Sequence, residues 1–329
     1  MSGRARIVVT RRIPEPALDL LRQTGDTWVS PHDRPLTRDE LLTAVDGADA
    51  IVCLLHDRID DEVLAAAGPQ LAVVANVAVG YDNIDVAACA RYQVVVTNTP
   101  GVLTDATADI AFALVLMATR RLGEGERLIR AGTTWSWHMF FLLGKGLQGK
   151  TLGIVGLGQI GRATARRGRA FGMSIVYAGP RRADAAVETE LEATYLPLDE
   201  LLEAADVVSL HCPLTPATRH LVDAAALARM KPDAYLINTT RGPVVDEAAL
   251  ADALAVGAIA GAGLDVYERE PEVHARLLEL DNVVLLPHLG SATVETRTAM
   301  AVLAAQNAAA VVSGGVPPTP VAPAPVSVS

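Results

Sequence analysis

The sequence predicts an α/β protein with two doubly wound parallel sheets, and three observations support this. Short apolar runs alternate with segments of helical periodicity along most of the chain, which is the order of parallel strands joined by helices. The 329 residues, half of them apolar, are long for one core and natural for two domains. A glycine-rich turn at 156–161 lies between an apolar run and an Ala- and Arg-rich segment of helical character.

The first hundred residues read as a small unit of strands and helices in alternation. The predicted strands are 7–10, 28–30, 50–55, 71–77 and 94–98, and the predicted helices are 14–21, 38–45, 60–67 and 84–92. Residues 104–120 follow as a long helix that is apolar on most sides. We therefore expect this helix to be deeply buried.

A second series of strands begins at residue 151. Its predicted strands are 152–155, 174–177, 207–210, 234–238, 258–264 and 283–286. The Ala-rich helical segment 293–312 is expected to return to the first domain, which would make that domain discontinuous. We expect the first domain to comprise residues 1–100 and 290–318, the second residues 101–289, and the proline-rich residues 319–329 to form a flexible tail.

Composition excludes several classes of partner. A net charge of −10 argues against a nucleic-acid surface, because such surfaces cluster Lys and Arg. No apolar run reaches membrane-spanning length, and the one near the N-terminus is too short for a signal peptide. Three cysteines without a CxxC pattern, Cys53, Cys89 and Cys212, fit reduced thiols better than disulfides or a metal site. We expect a cytoplasmic protein with a small-molecule partner, no membrane or nucleic-acid partner and no metal.

The turn Gly156-x-Gly158-x-x-Gly161 predicts a site for the pyrophosphate of a dinucleotide. Gly156 permits the turn, Gly158 lets the backbone approach the phosphates, and Gly161 lets helix pack on strand. The amides at the helix start, including those of Gln159 and Ile160, would bind the anion. A tight turn with a purely structural role is the alternative.

The end of the next strand bears on which dinucleotide binds. NAD enzymes usually place Asp or Glu about twenty residues after the glycines. Here the strand is followed by Gly179, Pro180, Arg181 and Arg182, without a carboxylate. Two guanidiniums favour a 2′-phosphate, so we predict NADP(H) as the preferred cofactor, with NAD(H) possible. The alternative is that both arginines only decorate a solvated turn.

Polar residues that directly follow predicted strands are the candidates for chemistry, because ligands of open parallel sheets bind beyond the carboxyl ends of the strands. Arg241, Asp265 and His288 follow predicted strands, and Glu270 lies five residues after Asp265. A guanidinium to hold a carboxylate, an imidazolium to donate a proton and a carboxylate to orient it are what reduction of a 2-keto acid requires, with hydride from a nicotinamide.

Taken singly, each of these residues has a plainer interpretation. Arg241 could form a surface ion pair, Glu270 could be a solvated loop charge, and His288 could be a partly buried structural histidine. Their conjunction favours catalysis. His211 and Cys212 also end a strand, but Pro213 beside them suggests a loop near the cofactor, not a Cys/His nucleophile.

A glycine turn in the first domain is a further candidate. The stretch Asn76-Val-Ala-Val-Gly80 ends a strand in a turn whose amides could bind a carboxylate. An active site between two domains would use both halves. A plain turn is the alternative.

These residues resemble those of the D-isomer-specific 2-hydroxyacid dehydrogenases, and within that family the chain is most similar to glyoxylate/hydroxypyruvate reductases. The resemblance runs from about Ile7 to Pro317, and its densest motifs are 79–85, 98–109, 156–161, 238–242, 263–266 and 287–293. It implies a Rossmann-type cofactor domain inserted in a smaller, flavodoxin-like substrate domain. It also implies a homodimer built mainly through the cofactor domain, with the segment 135–141 resembling an arm that closes the neighbour's pocket.

The resemblance also implies roles for individual residues. His288 is the expected proton donor, Glu270 its partner and Arg241 the substrate anchor, while Leu55, Val79 and Gly80 would complete the substrate site. The residues expected to bind cofactor are Thr107, Gly156, Gly158, Gln159, Ile160, Gly161, Gly179, Pro180, Arg181, Arg182, Cys212, Pro213, Thr218, Thr239, Thr240, Arg241, Asp265, His288 and Gly290.

Two differences from related subfamilies narrow the range of expected substrates. Similar phosphite dehydrogenases have lysine where Val79 stands, and formate dehydrogenases have glutamine where Glu270 stands. We therefore expect NADPH-dependent reduction of glyoxylate or hydroxypyruvate to glycolate or D-glycerate. A reductase of a bulkier acid such as 2-ketogluconate and a non-catalytic NAD(P)H-sensing corepressor or scaffold are the alternatives.

Overall fold

The structure, a computed structural model, describes residues 4–321. The chain divides into two compact units, the first formed by residues up to Leu103 together with those from Thr293 onward, and the second by Thr104–Ala292. Each unit contains one sheet with helices on both faces, and all strand pairs within each sheet are parallel. The predicted fold class is confirmed.

The sheet of the first unit has five strands. They are β1 (Arg6–Val9), β2 (Asp26–Val29), β3 (Ala50–Cys53), β4 (Val73–Asn76) and β5 (Val95–Thr97), and the helices between them are α1 (Glu15–Thr24), α2 (Arg38–Val45), α3 (Asp61–Ala67) and α4 (Val86–Arg91). The spatial order is β2-β1-β3-β4-β5. The central strands β3 and β4 are buried along their whole length, as is typical of a sheet covered on both faces.

The sheet of the second unit has seven strands. In chain order its elements are α5 (Thr104–Thr119), α6 (Leu122–Arg130), β6 (Thr151–Val155), α7 (Gln159–Ala170), β7 (Ser174–Ala178), α8 (Ala185–Leu191), β8 (Ala193–Tyr195), α9 (Leu198–Ala204), β9 (Val207–Leu210), α10 (Ala224–Arg229), β10 (Tyr235–Asn238), a 3₁₀ turn (Gly242–Val244), α11 (Glu247–Ala255), β11 (Gly261–Leu264), α12 (Ala275–Leu278) and β12 (Val283–Leu285). The spatial order is β12-β11-β10-β9-β6-β7-β8. The order reverses between β6 and β9, so a ligand crevice is expected at their carboxyl ends.

The last helix, α13 (Val294–Val312), belongs to the first unit. Its alanines Ala301, Ala304, Ala305 and Ala308 are fully buried and pack in one apolar cluster with residues of α1, β1 and β3. Small side chains at this spacing let the helix approach closely. Helix α13 thus covers one face of the five-stranded sheet.

The chain after α13 differs from the expected flexible tail. Thr319 donates from its hydroxyl to the Asn98 carbonyl at 2.6 Å, and its amide donates to the Asn307 side chain at 2.9 Å. The Val321 amide donates to the Val96 carbonyl at 2.8 Å. The prediction is wrong for residues 319–321, because these bonds to β5 and α13 involve partners far away in sequence. Residues 322–329 lie outside the described residues.

Other differences concern weakly patterned segments. Strand β8 was not predicted because it is a three-residue edge strand without an apolar run. Helix α6 was not predicted because it contains two glycines, and it buries none of its residues. Strand β11 begins at Gly261, three residues later than expected, since Gly257 turns the chain with φ of +69°. Among residues 4–321, no helix is both long and apolar enough to cross a bilayer.

Candidate active site

The structure pairs the predicted acid with its predicted partner. His288 Nδ1 lies 2.8 Å from Glu270 Oε2, and the two side chains are 27% and 20% exposed. The other carboxylate oxygen, Oε1, accepts the Tyr267 amide at 3.1 Å. With Nδ1 engaged by the carboxylate, Nε2 is the ring nitrogen that can donate outside the pair. The pair can therefore deliver a proton to a bound ligand.

His288 has an unusual backbone conformation, which hydrogen bonds to Asp265 stabilise. Its φ is +56°, in the left-handed region that residues with a side chain seldom adopt. The His288 amide donates to the Asp265 carbonyl at 2.9 Å, and the Asp265 carboxylate accepts the amides of Leu289 and Gly290 at 2.6 and 2.7 Å. Asp265 thus holds the turn that carries the imidazole.

Asp265 is nearly fully buried, at 1% exposure. Burial raises the pKa of this carboxyl, while its two backbone hydrogen bonds oppose the shift. A buried carboxylate that accepts two amides is well placed to stabilise a strained turn. The sequence predicted Asp265 as a site residue but did not predict this role.

Arg241 follows the strand next to that of Asp265. Strands β10, β11 and β12 are neighbours, so Arg241, Asp265 and His288 lie at the carboxyl ends of three adjacent strands. Asn238 holds the Arg241 segment, because its side chain donates to the Arg241 carbonyl at 3.0 Å and accepts from the Thr240 amide and hydroxyl. The half-buried Arg241 guanidinium donates to the Thr240 carbonyl at 3.0 Å.

Gly242 allows the backbone after Arg241 to pack closely against Tyr267 and Glu268. A Cβ at Gly242 would lie 1.8 Å from the Tyr267 carbonyl carbon and 2.3 Å from the Glu268 nitrogen. Only glycine permits this approach. The backbone after Arg241 therefore lies directly against the segment that leads to Glu270.

The glycine turn after β6 fits a dinucleotide. Gly156 has φ of +98°, and a Cβ there would lie 2.8 Å from the Cys212 amide nitrogen. A Cβ at Gly161 would lie 2.3 Å from the Gly156 carbonyl oxygen. At Gly158, by contrast, a Cβ would meet nothing within 4 Å, so open space lies in front of the backbone where Gln159 and Ile160 begin α7. These residues suit a pyrophosphate.

Three further residues that are predicted to bind the cofactor, Thr107, Thr239 and Gly290, also belong to the second unit. A Cβ at Gly290 would lie 3.4 Å from the buried Thr107 side chain. The buried Thr239 hydroxyl has no hydrogen-bond partner among residues 4–321. Since buried hydroxyls are normally paired, this orphan at the end of β10 fits the approach of a polar ligand.

The two arginines after β7 differ in their surroundings. Arg182 forms a bidentate pair with Glu188 of α8 at 2.8 and 2.9 Å, and Glu188 also accepts from the Tyr177 hydroxyl at 2.6 Å. These two partners lower the pKa of Glu188. Arg181 is exposed after Gly179 and Pro180. The strand end itself has no carboxylate, but α8 brings Glu188 back to Arg182 from six residues further along the chain.

The loop after β9 contains no activated nucleophile. Desolvation lowers the pKa of His211 to about 3 and raises that of Cys212 to about 11, so both are neutral at pH 7. After Pro213 the loop is closed by the Thr218 hydroxyl, which donates to the Pro213 carbonyl at 2.6 Å. The loop is therefore held in a fixed shape, and neither His211 nor Cys212 is a reactive nucleophile.

The turn at Val79 and Gly80, in the first unit, is fixed by asparagines. Asn98 donates to the Val79 carbonyl at 2.8 Å, and Asn76 donates to the Gly80 carbonyl at 2.9 Å. Asn83 donates to the carbonyl of Leu54, next to Leu55, at 3.2 Å. These amide side chains set the orientation of the peptide groups in the turn. Sequence reasoning missed their role, although three Asn beside one glycine turn was an available signal.

The sequence of this chain is similar to those of one known protein family. The model of the NAD-binding domain of D-isomer-specific 2-hydroxyacid dehydrogenases matches residues 112–290. A glyoxylate reductase of Thermococcus onnurineus is 48% identical over 319 residues, which is 95% of each chain.

Solved structures agree with the sequence comparison. A glyoxylate reductase from Paecilomyes thermophila superposes with a TM-score of 0.89 at 34% identity, covering 98% of this chain and 99% of that one. An NADPH-dependent glyoxylate/hydroxypyruvate reductase from Sinorhizobium meliloti, solved with NADP and malonate, has a TM-score of 0.85 at 39% identity, covering 97% of each chain.

Proposed function

This chain belongs to the D-isomer-specific 2-hydroxyacid dehydrogenase family and is an NAD(P)-dependent oxidoreductase, and from that premise we propose that it reduces glyoxylate and hydroxypyruvate with NADPH. The observation that carries the proposal is the His288–Glu270 pair, in which His288 follows β12, next to the strand β11 that leads to Asp265. The similarity to glyoxylate reductases supports the choice of substrate.

The cofactor would be held by the glycine turn and the start of α7, with Thr107, Thr239 and Gly290 nearer the catalytic residues. When bound, the nicotinamide supplies the hydride for reduction. The protein's part is to bind and orient the keto acid and to provide a proton. Because a Cβ at Gly158 would meet nothing within 4 Å, the amides there would be able to bind the phosphates without a side chain in between.

His288 provides the proton. Its imidazolium donates from Nε2 to the carbonyl oxygen of the substrate as negative charge develops there. Glu270 Oε2 lies 2.8 Å from Nδ1, and this contact fixes the orientation of the ring. In this proposal the Arg241 guanidinium binds the substrate carboxylate.

A substrate screen tests the proposed function. Purified protein is assayed with glyoxylate, hydroxypyruvate, pyruvate, phenylpyruvate and 2-ketogluconate, each with NADPH and with NADH. We expect the largest kcat/KM for glyoxylate or hydroxypyruvate with NADPH. A larger value for 2-ketogluconate would move the substrate to the bulkier class, and tight cofactor binding without turnover of any acid would overturn the proposal.

For the NADPH preference, Arg181 is the principal residue. Arg182 already shares its charge with Glu188, whereas Arg181 is exposed on the turn after β7. We place the 2′-phosphate of the cofactor at Arg181, with Arg182 as a second cation whose field Glu188 weakens.

Arg181→Ala should raise the KM for NADPH about tenfold and leave the KM for NADH within about twofold, because a hydrogen bond to a charged group contributes about 1.5–3 kcal/mol. Steady-state kinetics with both cofactors measure this. Glu188→Gln is the matched variant, since it releases Arg182 and should lower the KM for NADPH. An NADH preference in the unmodified protein, or equal effects of Arg181→Ala on both cofactors, would contradict the assignment.

A homodimer is the proposed assembly. The segment 122–143 exposes a row of large apolar side chains, including Ile129, Trp137, Met139 and Phe140, which are 58% to 80% exposed. An apolar surface of this kind marks a protein interface. The rings of Trp135 and Phe141 stack on each other with their centroids 5.8 Å apart, so part of the segment is held by contacts within itself.

The double variant Trp137→Ser with Phe140→Ser should behave as a monomer in size-exclusion chromatography with light scattering, where the unmodified protein should have twice the chain mass. Removing two large anchors from an interface commonly costs more than 2 kcal/mol each. Val256→Ser removes a comparably exposed apolar side chain elsewhere and should leave the dimer intact. A monomeric unmodified protein would refute the proposal.

A further inference from the structure

Glu247, the first residue of α11, is a buried carboxylate that the mechanism above does not use. It is 8% exposed. Its Oε2 accepts the Glu268 amide at 2.8 Å, and its Oε1 accepts the His274 amide at 2.7 Å. Both oxygens thus accept backbone amides, from residues 21 and 27 positions further along the chain.

The segment between those two amides contains Glu270. Within it Arg269, Pro271, Glu272 and His274 are exposed, and Val273 packs at the margin of the apolar core. Few apolar contacts are therefore available to hold the segment in place. The two hydrogen bonds to Glu247 stand at its two ends, on either side of Glu270.

Other contacts converge on the start of the same segment. Gly242 packs against the Tyr267–Glu268 peptide. The Glu268 side chain is paired with His220, whose amide donates to the Pro243 carbonyl at 2.8 Å. The backbone after Arg241 and the segment that carries Glu270 are therefore bound to each other through Glu268.

From these contacts we propose that Glu247 is a positioning residue that fixes the Glu270 carboxylate against His288 by holding both ends of the segment 268–274. Burying a carboxylate is costly unless it is well bonded. A carboxylate that accepts two amides meets that requirement, and each charge-assisted bond is stronger than a neutral one. The role rests on the proposed function, because it acts through Glu270 and His288.

A plain helix-capping role makes a different prediction. A carboxylate in the first turn favours a helix through its dipole, so its loss would lower stability alone. A positioning role requires in addition that the segment 268–274 loosen and that proton donation change. The two interpretations therefore separate in measurements other than the melting temperature.

Glu247→Gln is the central variant, because it keeps the size of the side chain but leaves only one acceptor oxygen for two amides. Hydrogen exchange of the cofactor-free protein, followed by mass spectrometry, should show at least about tenfold faster exchange in peptides covering 268–274. Glu272→Gln changes an exposed carboxylate of the same segment and should leave exchange unchanged. Equal exchange in Glu247→Gln and the unmodified protein would overturn the proposal.

Kinetics provide the second readout. Glu247→Gln should lower kcat about 10- to 100-fold, since misplacing a catalytic group by about 1 Å has effects of that size, while the KM for the cofactor stays within about twofold. In a Glu270→Gln background the same change should cost little more, because both act through one contact. Additive losses would overturn the proposal.

The outcome expected of a plain capping residue is distinct. A lower melting temperature of Glu247→Gln, with unchanged exchange in 268–274 and unchanged kcat, would indicate capping alone and overturn the proposal. If the unmodified protein reduces no 2-keto acid, the proposed function fails, and the exchange experiment still decides whether Glu247 holds the segment.

Discussion

His288→Ala should lower kcat for glyoxylate reduction by about 10²- to 10⁴-fold, the usual contribution of a positioned general acid. The substituted protein keeps Arg241 and the glycine turn, so the Kd for NADPH should change by less than about threefold. Nucleotide fluorescence measures binding, and absorbance of the reduced nicotinamide measures turnover.

A control variant makes this result specific. His32→Ala removes an exposed histidine of the first unit, whose Nε2 lies 3.8 Å from Glu40 Oε1, and it should leave kcat unchanged. Retention of most of the rate by His288→Ala would mean that another group supplies the proton.

The second large effect is expected at Arg241. Arg241→Gln should lower kcat/KM by about 10²- to 10³-fold, because truncating one partner of a desolvated charge pair costs about 2–5 kcal/mol. Arg241→Lys should recover only part of this, since an ammonium retains the charge but not the planar fork that binds a carboxylate bidentately. Oxalate, which resembles a small 2-keto acid, should show a parallel loss of affinity as a competitive inhibitor.

Arg229→Gln is the control for Arg241. Arg229 lies at the end of α10 and pairs with Asp199 and Glu203 on the surface, so its loss should alter neither kcat nor KM. An Arg241→Gln variant that lost cofactor affinity while retaining its affinity for oxalate would assign the guanidinium to the cofactor instead of the substrate.

Much of the fold could be predicted because parallel sheets leave a strong local pattern. Strands such as β3, β9 and β10 are buried at every position, so each appears in the sequence as a mainly apolar run. The pattern fails where burial is partial. Edge strand β8 has one buried residue in three and α6 has none, and neither was predicted.

The candidate catalytic residues could also be located, because polar residues that end apolar runs gather at one edge of a parallel sheet. The order β10-β11-β12 places Arg241, Asp265 and His288 at neighbouring strand ends. Glu270 does not end a strand, and its place beside His288 depends on the path of the loop after Tyr267.

What the sequence alone determined was the alternation of strands and helices, the glycine turn and the types of chemical group available, since each depends on residues close together in the chain. The tertiary structure alone decided which partner each of these carboxylates binds. Glu188 returns to Arg182, Glu247 binds the amides that flank Glu270, and Asp265 holds the strained turn at His288. The physical reason is that hydrogen bonds and ion pairs act over a few ångströms in space, whereas periodicity records only whether a position is buried.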